Sequence, residues 1–157
     1  MIFESLPTTP RSEELLDKAF SRAARSGRSK SGLEAQQSML QTASSILADN
    51  LENVVTQWPD FGTVDPFYYE LADAIVDVDE LRQSLSKVTW ASRQIWQLRE
   101  EYQPKLRRTD PDKARKHRKQ AFARMADVVE EVAEDLERIG EARDALKTLP
   151  DIRPDEP

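Results

Sequence analysis

The chain has 157 residues, enough for one ordinary domain and too few for two substantial ones. It contains no cysteine and one histidine, which excludes a disulfide scaffold, a cysteine nucleophile and any site that needs two imidazoles. Its four glycines are few, and its nine prolines fall near predicted breaks or the termini. Long stretches free of both residues favour helices. The sequence therefore predicts an all-α fold, an antiparallel helical bundle with long helices and no sheet.

The composition also indicates where in the cell the protein is located. Charged residues make up 33% of the chain and hydrophobic residues 38%. No apolar run approaches the ~18 residues that a membrane span needs. The N-terminus lacks the basic-then-apolar order of a secretion signal. We therefore expect a cytoplasmic protein that does not contact a membrane.

Two helices are predicted in the first third of the chain. The Thr9–Pro10 pair is typical of an N-cap followed by proline at the first helical position, and this helix should end near Ser26–Gly27. A flexible basic connection, residues 27–32, follows. The second helix should span about 33–57, where leucines recur at steps of three, four or seven.

Helical periodicity returns after a loop at 58–66. The next run, 66–103, is much longer than a typical globular helix, so a break is expected inside it, at 77–80. The Asp110–Pro111 pair then starts a last helix that should reach about Thr148. Its apolar seam alternates steps of three and four through Phe122, Met125, Val129, Val132, Leu136 and Ile139. The predicted division is a helical bundle at 1–148 and a linker at 149–157.

No catalytic or cofactor site is predicted. The stretch 27–34 has the glycine spacing of a phosphate loop, but Leu33 and Glu34 occupy the places of the required lysine and hydroxyl residues. Acidic residues on the later helices are interpreted as solvated faces, because a bundle di-iron site needs two histidines and the chain has only His117. No acid–base pair or nucleophile elbow can be assigned. We expect a non-enzymatic chain without a metal or cofactor of its own.

The charge distribution is uneven. The net charge is −6, yet residues 18–30 contain five basic and no acidic side chains, and residues 104–125 contain nine basic and two acidic ones. The remainder is acidic, which fits either a salty cytosol, where screening makes a dense acidic surface tolerable, or an ordinary acidic helical protein.

The two basic blocks predict contact with nucleic-acid phosphates, which positions a protein without reading sequence. On the last helix, Lys113, Lys116 and Arg124 should point away from the seam, whereas Arg118 falls nearly on it. The alternative is a solvated face whose bases pair with neighbouring acids. The candidate residues are Arg22, Arg25, Arg28, Arg107, Arg108, Lys113, Arg115, Lys116, Arg118, Lys119 and Arg124. Tyr69 should face outward, where it is either simply exposed or available to stack on a base.

Four separated stretches fall in one order: Leu6–Asp17, Asp65–Leu71, Arg115–Met125 and Leu149–Pro154. Together they resemble the N-terminal helical domain of the Nog family of GTP-binding proteins, found in archaea and in the eukaryotic nucleolus. The resemblance covers essentially the whole chain. Each motif is weak alone, but four at fitting separations are specific.

The resemblance implies a GTPase domain of the Obg-related class after the last stretch, so the chain is expected to be an isolated N-terminal domain. It implies a parent protein that binds and hydrolyses GTP with Mg²⁺ and assists assembly of the large ribosomal subunit. The bundle would dock on ribosomal RNA of the subunit precursor. The residues that match the family's basic helix are Arg115, Lys116, Arg118, Lys119 and Arg124. No catalytic residue is carried over.

An alternative function stays open. The bundle is then a protein-interaction domain that regulates its attached GTPase domain or recruits an assembly factor, and the basic blocks are incidental. Eukaryotic members of the family look strongly basic in this region, whereas this chain is net acidic outside its two blocks. In a salty cell, shape and hydrogen bonding would carry more of the RNA affinity.

Overall fold

The computed structural model describes residues 3–149, which form six α-helices and no strand. This confirms the predicted all-α bundle. One 3-10 turn, Pro104–Leu106, joins the fourth and fifth helices. The helices are α1 Ser12–Arg28, α2 Gly32–Thr56, α3 Pro66–Asp73, α4 Val78–Tyr102, α5 Pro111–Glu131 and α6 Ala133–Lys147.

Helix α2 lies at the centre of the bundle. It contacts α1, α4 and α5, and α6 packs on α4. Helices α2 and α4 run antiparallel: the Ser92 hydroxyl donates to the Ala48 carbonyl at 2.9 Å, and Arg99, further along α4, reaches back to Ser45 at 3.4 Å. Their facing stripes are the leucines and β-branched residues that the periodicity predicted. The fully buried large side chains include Leu40, Leu47, Leu51, Leu81, Ile95, Met125, Leu136 and Ile139.

Three helices begin at an aspartate that caps the first turn. Asp65 accepts a hydrogen bond from the Phe67 amide and Asp110 from the Lys113 amide, each followed by proline at the first helical position. Asp77 begins α4 by accepting from the Glu80 amide at 3.1 Å. The break predicted at 77–80 therefore lies slightly earlier, at 74–77, because Asp77 is a cap rather than an interruption.

The predicted start of the first helix is wrong by two residues. Arg11, not Thr9, is the N-cap of α1. The preceding residues are non-helical, and the buried Arg143 of α6 holds them by donating from Nε to the Leu6 carbonyl at 2.9 Å. Phe3 and Leu6 join the core, so this lead-in is part of the domain.

The predicted continuous last helix is also wrong, since it divides at Val132 into α5 and α6. Val132 is fully buried and non-helical, with φ −103° and ψ 15°. A β-branched residue costs less at such a break than in a helix interior, and Glu134 and Asp135 supply the negative charge that favours a new N-terminus. Asp135 accepts from Ser84 at 2.9 Å, which turns α6 onto the first half of α4. Of the predicted linker, only Leu149 belongs to the described residues; 150–157 lie outside them.

The cap at Asp110 predicts a pH-dependent contribution to stability. Its carboxylate accepts from the Lys113 amide, which lowers the pKa of Asp110 below its ordinary 3.8. A lowered folded-state pKa stabilises the fold above pH 3.8, and this contribution is lost as the pH falls through the folded-state value. In urea unfolding, the free energy of unfolding of the wild type should exceed that of Asp110→Asn at neutral pH. This difference should shrink as the pH falls below 3.8 and through the folded-state pKa of Asp110. Because asparagine can also cap a helix, a constant or growing difference would contradict the contribution of the carboxylate charge rather than the cap itself.

Candidate nucleic-acid interface

The two basic blocks, far apart in sequence, lie at one end of the bundle. The end of α1 meets the second turn of α2, where the hydroxyls of Ser26 and Ser38 are hydrogen-bonded. In the same turn, Gln36 accepts from Arg118 Nε of α5, and Gln37 donates to the Leu106 carbonyl of the 3-10 turn, each at 2.9 Å. This surface, the basic end, comprises the basic residues of 18–30 and 104–125.

Helices α1 and α5 also touch directly. The rings of Phe20 and Phe122 stack with centroids 4.7 Å apart and an interplanar angle of 17°. This half-buried pair brings the two basic helices into contact, while each helix packs mainly on α2. The Gln36 and Gln37 contacts have no distinctive sequence pattern, whereas Phe122 lies on the predicted apolar seam of the last helix.

Ten of the eleven candidate residues are exposed, and Arg118 is half-buried. Within residues 3–149, Arg124 is the one candidate that forms an ion pair, with Glu101. Another basic-end cation, Lys30, lies 3.9 Å from Glu34. The exposed candidates that form no ion pair with a described residue are Arg22, Arg25, Arg28, Arg107, Arg108, Lys113, Arg115, Lys116 and Lys119. Most of the positive charge of the basic end is therefore not neutralised by the bundle.

Arg124 is held in place by α4. Hydrogen bonds to the Tyr102 hydroxyl and Glu101 raise the pKa of Arg124 above its ordinary value. The Tyr102 ring is buried and lies between two cations, with Lys105 Nζ 4.8 Å and Arg124 Cζ 5.6 Å from its centroid. Tyr102 thus orders the junction of α4, the 3-10 turn and α5. Arg124 is less available to phosphates than its neighbours.

Arg118 has a structural contact, as its place near the seam indicated. Burial, together with the nearby charge of Arg115, lowers the pKa of Arg118 below its ordinary value. Its guanidinium lies 4.9 Å from the Phe122 ring centroid and donates to the buried Gln36 amide. Its contact with RNA stays a prediction. The predicted outward face of Tyr69 is wrong: the side chain is half-buried and its ring forms a T-shaped pair with Phe61, with centroids 6.1 Å apart.

The pairing of Arg118 with Gln36 predicts a coupled effect on stability. Arg118→Met keeps the stem over Phe122 but leaves the buried Gln36 oxygen without its donor, so the free energy of unfolding should fall by about 1–3 kcal/mol. Replacing both partners, in Arg118→Met with Gln36→Leu, should cost less than Arg118→Met alone. Urea titrations of Arg118→Met, Gln36→Leu and the double variant measure this, and strictly additive losses would show that the two side chains do not interact.

The opposite end of the bundle carries acidic residues. The start of α4 has Asp77, Asp79 and Glu80, and the first turn of α6 has Glu134 and Asp135.

In the part of the chain that is described, no three His, Cys, Asp or Glu side chains are placed to hold a metal ion. The helices between residues 3 and 149 are too short or too polar to cross a membrane.

Comparison with known proteins identifies the family of the chain. The sequence profile of the NOG1 N-terminal helical domain matches residues 3–153. The chain belongs to this family. The match covers all six helices and both basic blocks of this chain, and it confirms the family resemblance seen in the four sequence stretches.

Two relatives illustrate the range of the similarity. The chain is 27% identical to the uncharacterized protein MJ1408 of Methanocaldococcus jannaschii over 161 aligned residues, which cover 96% of this chain and 46% of that protein. It is 26% identical to nucleolar GTP-binding protein 1 of Drosophila melanogaster over 107 residues, 68% of this chain and 16% of the relative. The chain spans less than half the length of either relative.

Proposed function

We propose that this domain docks on ribosomal RNA of the large-subunit precursor. It does so as the N-terminal domain of a cytoplasmic GTP-binding protein that acts in ribosome biogenesis. One observation carries the proposal: two basic blocks separated by 73 residues of sequence lie at one end of the bundle, with nine arginines and lysines exposed and free of ion pairs with described residues.

The chemistry of the basic end suits a phosphate backbone. Guanidinium and ammonium groups that neutralise phosphates release condensed counterions, which provides affinity without base readout. Arginine also binds phosphate oxygens through two parallel hydrogen bonds, and eight of the candidate residues are arginines. A rigid, multi-helix presentation favours a folded RNA of complementary shape. We therefore expect recognition of RNA shape rather than of a short sequence.

The salt dependence of binding tests this proposal. Fluorescence anisotropy with transcribed large-subunit ribosomal RNA should give an association constant that falls with salt, with a log–log slope of at least about 3 in magnitude, as four or more phosphate contacts require. A DNA duplex of equal length should bind more weakly at each salt concentration. Absent RNA binding, or binding insensitive to salt, would favour the protein-interaction alternative.

The GTP and Mg²⁺ chemistry belongs, in this proposal, to another part of the protein. Gly27 lies inside α1 and Gly32 starts α2, so the glycine pair is separated by a helix end and follows no strand. Leu33 and Glu34 take the places where a phosphate loop needs a lysine and a hydroxyl. The described residues therefore do not fit a nucleotide site.

This assignment predicts that residues 1–157 alone do not hydrolyse GTP. Incubation of the purified chain with GTP and Mg²⁺ should release inorganic phosphate at the rate of a buffer blank. A heat-denatured sample controls for contaminating GTPases. Turnover that copurifies with the folded chain and disappears on heating would contradict the assignment.

A further inference from the structure

A second surface lies away from the basic end, in the groove between α2 and α4. Two neighbouring cavities of about 370 and 310 Å³ share Val55 as a lining residue. Trp96 and Thr89 line the first cavity, and Leu85 with the Trp58 loop lines the second. At the 1.5 Å rise of a helix, Glu52 in this groove is about 24 Å along α2 from Gln36. The groove is therefore separate from the proposed RNA site.

The α4 side of the groove is basic. Residues 31–103 contain four basic side chains, all on α4: Arg82, Lys87, Arg93 and Arg99. Arg82 and Arg93 are exposed, line the cavities and form no ion pair with a described residue. Two unpaired cations beside a concave apolar floor favour a partner that carries both apolar and acidic groups.

Helix α4 also carries two half-buried tryptophans, Trp96 in the groove and Trp90 outside its two cavities, and each has a cation over its ring. Lys87 Nζ lies 4.8 Å from the Trp90 ring centroid, and Arg99 Cζ lies 5.1 Å from that of Trp96. Tryptophan and arginine are the residues most enriched among those that dominate protein–protein binding energy. Because a cation already lies over each ring, these rings are poorly placed to stack on bases.

The α2 side of the groove argues against RNA as the occupant. Glu52 and Asp60 line the two cavities opposite the α4 cations. A regular chain of phosphates along the groove would meet these carboxylates, whereas a protein segment can place its own carboxylates on one flank only. Cavities of this size suit single side chains, and residues three or four apart on a helix present such anchors about 5–6 Å apart.

From this geometry we propose that the α2–α4 groove binds an acidic amphipathic helix of another protein, whose apolar side chains enter beside Val55 and Trp96 and whose carboxylates face Arg82 and Arg93. The proposal does not depend on RNA docking at the basic end. If both hold, the domain joins ribosomal RNA to a protein partner through two separate surfaces.

Site-specific photo-crosslinking in the protein's own cells tests the groove. A benzoylphenylalanine placed at Thr89 should crosslink, on irradiation, to a segment of another protein that is rich in Asp and Glu, with apolar residues at helical spacing. Crosslinking to RNA, to a second copy of this chain, to a segment without acidic excess, or to nothing above the level of the same probe at the exposed position Lys147 would overturn the proposal.

Charge reversal provides the matched controls. Arg82→Glu with Arg93→Glu should lower the crosslink yield by about tenfold or more and leave affinity for ribosomal RNA unchanged. Arg107→Glu with Arg108→Glu has the same change of charge at the basic end and should leave the yield unchanged while RNA affinity falls. Circular dichroism checks that both variants fold. Equal loss of yield in the two variants would mean that the groove is not the site.

Discussion

Replacing Lys113 and Lys116 with glutamate should weaken binding to large-subunit ribosomal RNA by about 100-fold at physiological salt. Both side chains are exposed on the first turns of α5 and form no ion pair with a described residue. Each reversal removes a cation that neutralises a phosphate and adds a repulsive charge. The magnitude of the log–log salt slope should fall by about 2. Fluorescence anisotropy across a salt series measures both quantities.

The matched control is Arg11→Glu with Lys147→Glu. It imposes the same change of net charge, but Arg11 precedes α1 at the end opposite Arg25, and Lys147 ends α6. RNA affinity should stay within about threefold of the wild type, since only long-range charge changes. Equal losses in both double variants would show that net charge, not the basic end, governs binding.

Tyr102→Ala should reduce the free energy of unfolding by about 4 kcal/mol, a large share of the roughly 5–15 kcal/mol that stabilises a domain. The side chain is 1% exposed at the junction of α4, the 3-10 turn and α5. Truncation leaves a cavity and removes the ring that Lys105 and Arg124 lie over. Chemical unfolding followed by circular dichroism gives the value.

Tyr102→Phe separates packing from hydrogen bonding. It keeps the ring and loses only the hydroxyl contact with Arg124, so it should cost about 0.5–1.5 kcal/mol. RNA affinity should remain near that of the wild type in this variant. If Tyr102→Ala and Tyr102→Phe destabilise equally, the junction is not held by burial of the ring.

The bundle itself was predictable because its helices have strong apolar periodicity and clear starts. Asp110 followed by proline, and the leucines of α2, required no tertiary information. The division at Val132 was not predictable, since the seam continues across it and no glycine or proline marks it. It follows from packing on Ser84 of α4, a contact between residues 51 positions apart. The hydrogen bond from Arg143 to the Leu6 carbonyl likewise joins residues far apart in sequence, so no local pattern predicts it.

The residues of the candidate site were predictable, but the contacts that bring them together were not. Charge counting found both basic blocks, and the helical wheel placed Arg118 near the seam. The second turn of α2 is joined to α5 and to the 3-10 turn by the amides of Gln36 and Gln37, which have no distinctive sequence pattern. The positions of the α4 tryptophans on the surface were also not predictable, because their periodicity alone does not distinguish a core face from a groove.

The most direct test of RNA docking at the basic end is to map the contact on the protein. Ultraviolet crosslinking of the domain to ribosomal RNA, followed by mass spectrometry of nucleotide-bearing peptides, should yield peptides from 18–30 and 104–125. Peptides from α6 or from the acidic start of α4, in the absence of any from these two segments, would contradict the account.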